Sequence, residues 1–342
     1  MDSLLRRVLP QPVWQLLRSS SHTCRIHTLK LYAVALQHTL RHLTGTDVLP
    51  LLNAYGLNVS PVSDYYSPLP IVSALRNNEA RWARPSRMIG VRYDLEAMKQ
   101  LLQDFRARYW DEFQELPTYE ELKKIGYGPG FTRIDAMILY FMLREIKPSH
   151  YIEIGSGLST WYCSVAAERN AQEGKPLQIK CIDPFPSMRL RSTPGVSVVA
   201  KEVQDVDFEV FRELGAGDVL FIDSTHIVKI DGDVPYLYLE VLPRLQKGVI
   251  IHVHDVHFPF NVPYPPECYI FGGWKWPVFW TEAMLLQAFL CHNDAFRILF
   301  SAPLLHFHSQ EFLQASIPHY APIDPANMDT HFGSIWIEKV GN

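Results

Sequence analysis

From about residue 148 onward, short apolar runs alternate with longer stretches whose apolar residues recur at helical spacing. The runs fall at 150–154, 178–183, 196–200, 218–223 and 248–254, and the helical patterns at 159–170, 206–214 and 233–244. A short apolar run bounded by turns reads as a buried strand, and strands alternating with helices read as a parallel sheet covered on both faces. A further helix is expected over 280–293, and two more strands over 296–300 and 334–340, the last two joined by a long connection read as non-helical. Upstream, Leu95, Met98, Leu101, Leu102 and Phe105 space a helix over about 94–113. Glycines and a proline at 126–130 break the chain, and Thr132 with Asp135 then forms the cap of an apolar helix ending near Ile146.

The first 46 residues read differently, as helices with polar breaks. Arg6, Arg7, Arg18, Arg25, Lys30 and Arg41 stand against Asp2. A basic leader packing on the domain is the plain reading; a membrane-surface helix making peripheral contact, or a transit segment, are the alternatives. Residues 47–92 are rich in Pro, Ser, Tyr and Asn and read as loop. The expected division is therefore an N-terminal extension over 1–92 and a main domain over 93–342. A Pro- and aromatic-rich insertion at 256–279 leaves the carboxyl end of a central strand, where α/β sheets bind ligands. It reads equally as a wall over the substrate or as an ordinary packed loop.

Composition narrows the class. An apolar fraction of 47% over 342 residues is enough for a sizeable core, and a net charge of −4 leaves no general footprint for nucleic acid. Cysteines at 24, 163, 181, 268 and 291 show no C-x-x-C spacing, which argues for reduced thiols in a cytoplasmic protein and against structural zinc. No apolar run approaches the length of a membrane span.

The first strand runs into Glu153-Ile154-Gly155-Ser156-Gly157 and then into a helix. Strand, glycine turn and helix open a nucleotide-binding unit, because glycines let a ligand lie against the backbone and the helix presents free N–H groups. Thr160 stands where the dinucleotide fingerprint has its third glycine, which counts against an NAD-linked oxidoreductase. A tight turn with no ligand is the remaining alternative. Asp183 ends the second strand, where an acid accepts hydrogen bonds from ribose hydroxyls. Strand four ends in Asp223-Ser224-Thr225-His226 and strand five in His252-Val253-His254-Asp255. Alternation puts His252 and His254 on one side and turns Asp255 out at the tip.

Glu153-x-Gly155-x-Gly157 resembles motif I of the class I methyltransferases that use S-adenosyl-L-methionine (SAM). Over about 65–300, Asp223-Ser224-Thr225-His226, Leu242-Pro243-Arg244-Leu245-Gln246-Lys247-Gly248 and His252-Val253-His254-Asp255 are similar to a bacterial group within that class. The resemblance implies an α/β, Rossmann-like sheet of seven strands, one antiparallel near the edge, with a helical N-terminal extension. It implies SAM as cofactor, met by Glu153, Gly155, Ser156, Gly157, Ser159, Asp183, Asp205 and Asp223; Asp205 reads equally as a helix cap. It brings the tips of strands four and five together, with His226, His254 and Asp255 as the catalytic set. The group is distantly similar to metal-dependent O-methyltransferases, so Asp223, His254 and Asp255 are also candidate ligands of a divalent cation, although His254-Asp255 departs from the acid pair found there. The expected reaction is methyl transfer to a small-molecule or glycan acceptor, at a hydroxyl oxygen. A non-catalytic SAM-binding protein on the same fold is the alternative.

Overall fold

The computed structural model describes residues 22–40, 45–60, 62, 64–127, 130–272, 274–318, 320–327 and 330–341. The described residues fall into two compact units, divided between Leu75 and Arg76. In the first unit the helical reading of the leader is met over His22–Leu40, while 1–21 and 41–44 lie outside the described residues. The loop reading of 47–92 is corrected: Gly45–Ala54, Val72–Asn77 and Glu79–Trp82 are helical. Pro50 masked the first, and the other two are too short to carry a readable period.

The second unit is built on one sheet of seven strands: β1 (His150–Ile154), β2 (Gln178–Ile182), β3 (Val196–Val199), β4 (Val219–Ile222), β5 (Ile250–His254), β6 (Phe296–Ser301) and β7 (Ser334–Lys339). Their spatial order is β3-β2-β1-β4-β5-β7-β6. The first five are parallel, and β7 runs antiparallel to both β5 and β6. Helices α1 (Leu95–Gln114), α2 (Arg133–Ile146), α3 (Leu158–Gln172), α4 (Glu282–Leu290) and α5 (Ala302–Ser316) accompany it. Strands β4 and β5 are buried along their whole length, as expected of central strands; β4 is wholly apolar, whereas β5 carries His252 and His254 among its Ile and Val. α2 is almost as buried and starts where Thr132 accepts the Asp135 amide.

Three local readings change. The helix expected at 206–214 is a tighter 3₁₀ turn, Phe208–Glu213. The helix over 233–244 widens into a π turn at Leu237–Val241, just before Pro243, which has no N–H to continue a regular ladder. The connection from β6 to β7 is not non-helical: it contains α5. Ser301 caps α5 and Pro303 sits near its start, where a missing N–H costs nothing, while non-helical Ser309 interrupts the period that would have revealed it.

Register fixes the site. Ile154 is level with Ile182 and Ile222, and Ile222 with Val253. The residues that follow, Gly155, Asp183, Asp223 and His254, therefore share one edge of the sheet. Cys163, Cys181, Cys268 and Cys291 are free thiols. Among the described residues no helix is long and apolar enough to cross a membrane.

Candidate active site

At the carboxyl edge a cavity of about 400 Å³ is lined by Gly155, Asp183, Glu202, Val203, Gln204 and Asp223. Gly155 is required there twice over. Its φ is +88°, and a Cβ would stand 2.5 Å from the Asp223 carbonyl oxygen. Asp183 accepts the Phe185 amide at 2.7 Å and the Ser156 hydroxyl. Asp205 does not line this cavity; it is exposed at the end of its 3₁₀ turn, and the preceding Glu202-Val203-Gln204 takes the wall instead. Ser156 and Gly157 line a second cavity of about 220 Å³ together with Tyr127, Trp161 and Arg189. Among the described residues, nothing beyond its chain neighbours lies within 4 Å of where a Gly157 Cβ would stand.

Glu153 and Ser159 are buried away from both cavities. Glu153 accepts hydrogen bonds from the hydroxyls of Ser159 and Thr160, tying β1 to the first turn of α3. Burial pushes its carboxyl up to about 7, against the pull of those hydroxyls.

Asp223 links the cofactor-sized cavity to a cluster of histidines and acids. His226 Nε2 lies 3.3 Å from Asp223 and 3.4 Å from Asp255, and its Nδ1 lies 2.7 Å from Glu282. His254 Nδ1 lies 3.4 Å from Asp223, and its Nε2 faces Asp135 at 3.7 Å. Asp135 is fixed by the Thr132 hydroxyl at 2.7 Å and by the Gly333 amide at 3.2 Å. His226 and Asp255 both hold left-handed backbone, with φ of 60° and 57°. Such conformations in non-glycine residues concentrate at functional sites.

The charges are set by one another. Burial alone would lower His226, but its contacts with Asp223, Glu282 and Asp255 raise it to about 10. Burial likewise opposes charge on His254, and the surrounding carboxylates hold it well above the usual histidine range. Burial would raise Asp223 too, yet His254 and His226 keep it well below the usual carboxylate range. Asp255 is pushed up to about 6 by burial, despite both imidazoles. His252 is apart from all this. Its ring stacks on Trp336 at 4.0 Å and lies tilted against Phe221 at 4.4 Å, and burial lowers it far below the ordinary value.

The ligand atoms of Asp223, His226 and Asp255 all lie within 4.8 Å of one another. Two carboxylates and an imidazole at that spacing suit a divalent cation. This grouping takes His226 where the sequence pointed to His254, whose Nδ1 nevertheless lies 3.4 Å from Asp223 and 3.7 Å from Asp255. Sequence reasoning also missed Glu282 and Asp135 as members of the cluster. Each reads locally as an acid in the first turn of a helix, and only the fold brings them to a histidine.

Part of the 256–279 insertion packs and part stands open: Val256, Phe258 and Tyr269 are buried, whereas Trp274 and Trp276 are exposed. Trp280, just beyond it, lies 4.6 Å from the His226 ring, 5.3 Å from Tyr269 and 6.1 Å from Trp274. An aromatic wall thus rises directly beside the acid–base cluster.

The strand order with its one antiparallel strand, and the glycine turn opening on a cavity after β1, are those of a class I methyltransferase. The family described as "Methyltransferase domain" matches residues 152–256, from within β1 to just past β5. Residues 152–256 are thus similar to a methyltransferase family over the stretch that holds the glycine turn and the ends of β4 and β5. A protein of Archaeoglobus fulgidus, described as uncharacterized, is 29% identical over 168 residues, 46% of this chain and 74% of that one. Among solved structures, the O-methyltransferase TomG of Streptomyces achromogenes, involved in tomaymycin synthesis and solved with SAM, covers 74% of this chain and 92% of its own at 16% identity and a TM-score of 0.38. The Podospora anserina methyltransferase PaMTH1, solved with SAH bound, covers 80% and 98% at 15% identity and a TM-score of 0.34.

Proposed function

We propose that this chain is a SAM-dependent methyltransferase acting on a hydroxyl oxygen of a small-molecule or sugar acceptor. One observation carries the reading: Asp223 lines the cavity beside the glycine turn and also lies 3.3 Å from His226 Nε2. A cofactor in the cavity and an acceptor on the Trp280 wall would meet at that residue. In the reaction the acceptor oxygen forms a bond to the methyl carbon, the C–S bond pair returns to sulfur, and the hydroxyl proton leaves. The chain's part is to align the two partners and to take that proton. His226 Nε2 is the proposed acceptor of the proton, oriented by Glu282, with His254 behind it facing Asp135 at 3.7 Å.

Asp223, His226 and Asp255 also fit a divalent cation; if bound, it would take the His226 Nε2 lone pair and, in place of that base, would supply Lewis acidity that makes an acceptor hydroxyl easier to deprotonate. The reading describes a cytoplasmic enzyme whose catalytic domain spans 93–342 and whose substrate is not nucleic acid, in keeping with its net charge of −4. Calorimetry tests the cofactor. SAM or its demethylated product should bind, and NAD should not; preferential binding of NAD, or no binding of SAM, ends the proposal. An acceptor screen with methyl-labelled SAM then tests the reaction itself.

A further inference from the structure

A third cavity, of about 540 Å³, is lined by Trp82, Arg84, Arg87, Ile89, Asn261 and Gln287, with no acidic side chain among its lining residues. It is distinct from the cofactor-sized cavity, with which it shares no residue. It also backs onto the acid–base cluster from outside. Glu282 points inward from α4 to His226, whereas Met284 and Gln287 of the same helix line this cavity. Two residues further along a helix is about 200° around it, so these side chains leave on different faces.

The charge here is unbalanced. Elsewhere in this unit Arg92, Arg108, Arg144, Arg169, Arg212 and Arg297 each have an acid within ion-pair distance. Arg84 and Arg87 have none among the described residues, as is also true of Arg106, Arg133, Arg189, Arg191 and Arg244, but these two line one cavity, and Arg76, over the ring of Phe271 at 4.2 Å, adds a third guanidinium nearby. Residues 76–87 carry Arg76, Arg81, Arg84 and Arg87 against Glu79 alone, in a chain of net charge −4. Two like charges facing one cavity make it locally positive, a potential that an anion entering the cavity would meet favourably.

The rest of the wall gives the ligand its second part. Trp82 sits edge-on to Phe271 at 6.0 Å, and Ile89, Val262 and Met284 continue an apolar surface. The arginine loop is pinned to the 256–279 insertion by the Ser86 amide donating to Pro259 at 2.8 Å. Asn261 donates to Gln287 at 2.8 Å, which holds the far wall. Guanidinium groups pair best with carboxylate or phosphate oxygens, and an indole face takes a flat ring.

We infer that this cavity is a second binding site, for a small molecule that joins a carboxylate or phosphate to an apolar ring. The inference stands apart from the methyl-transfer reading. Calorimetry on the full chain with phenyl phosphate, benzoate and phenol tests it. At least one of the two anions should bind saturably at one site, the tighter naming the anion, and phenol should bind at least tenfold more weakly. R84Q/R87Q should weaken anion binding at least tenfold, while D183A, altered in the other cavity, should bind like wild type. Both arginines are exposed, so the double variant should keep the wild-type melting temperature. Should it unfold, Ile89→Glu, which places a carboxylate in the cavity, must give the same loss. Failure of both anions to saturate, equal binding of phenol, retained affinity in the arginine variant, or loss in D183A instead would each overturn the site.

Discussion

Glu282 and His226 are 56 residues apart in sequence and 2.7 Å apart in space, carboxylate oxygen to Nδ1. A carboxylate at Nδ1 holds a proton there and leaves Nε2 to face Asp223 and Asp255. It also helps raise His226 to about 10, so in the ligand-free protein at neutral pH the imidazole is charged. A base must be neutral, so turnover should climb with pH toward that value. Glu282→Gln should reduce kcat about 10–100-fold, the usual cost of removing such a partner, and leave SAM affinity near wild type. Because the negative charge is lost, the pH at half-maximal rate should also move down. An unchanged kcat together with an unmoved pH profile would show that Glu282 merely fills space.

The two glycines of the turn should fail in different ways. A Cβ on Gly155 would strike the Asp223 carbonyl, on backbone that side chains rarely adopt. Gly155→Ala should therefore lose more than about 2 kcal/mol of stability. Gly157 has extended backbone with a φ of 170° and open space beside it. Gly157→Ala should melt like wild type and bind SAM more weakly. Chemical denaturation and calorimetry on both variants separate the cases; equal loss of stability in the two would contradict the geometry.

Glu153 makes stability depend on pH. Its usual value of 4.5 applies to the unfolded chain, and burial raises it to about 7 in the fold. A raised value means the folded protein binds the extra proton between those limits. Its contribution is complete below about pH 4.5 and is lost as pH rises through 7, a change of up to about 3 kcal/mol. Glu153→Gln should flatten this slope and exceed wild type in relative stability at pH 8. Urea midpoints at pH 5 and pH 8 measure it, and an undiminished slope in the variant would place the effect elsewhere.

Chelation examines the Asp223, His226 and Asp255 group. Dialysis against EDTA should remove activity, and a divalent ion should restore it. Since an imidazole is among the ligands, Mn²⁺ is expected to serve at least as well as Mg²⁺. Asp223→Asn should purify with less metal by elemental analysis. Full activity in metal-free protein would leave the trio as a proton-handling cluster alone.

Much of this was readable from the chain, and the parts that were not share a cause. The strands of the sheet, from 150–154 to 334–340, announce themselves by apolar runs, and the glycine turn by its spacing. Helix α5 escaped because its apolar start, Ala302-Pro303-Leu304-Leu305, looks like a continuation of β6 and its middle is broken at Ser309. Within the site, Asp223, His226, His254 and Asp255 could be gathered from the ends of neighbouring strands. Glu282 and Asp135 could not, since a buried acid and a helix-capping acid are written with the same letter. The orientation of His226 rests on a left-handed turn that nothing in Ser-Thr-His specifies locally.

Strand β7 comes last in sequence yet lies between β5 and β6. Gly333, at its entrance, accepts the Val256 amide at 2.9 Å and donates to Asp135, the partner of His254. Any chain interrupted before Gly333 therefore leaves β5 as a bare edge and Asp135, opposite His254, with the Thr132 hydroxyl but without the Gly333 amide. Such an edge invites pairing with other chains. Completeness of synthesis and assembly of the reactive centre are thus checked by the same event, so truncated products should be both inert and prone to aggregate rather than partially active.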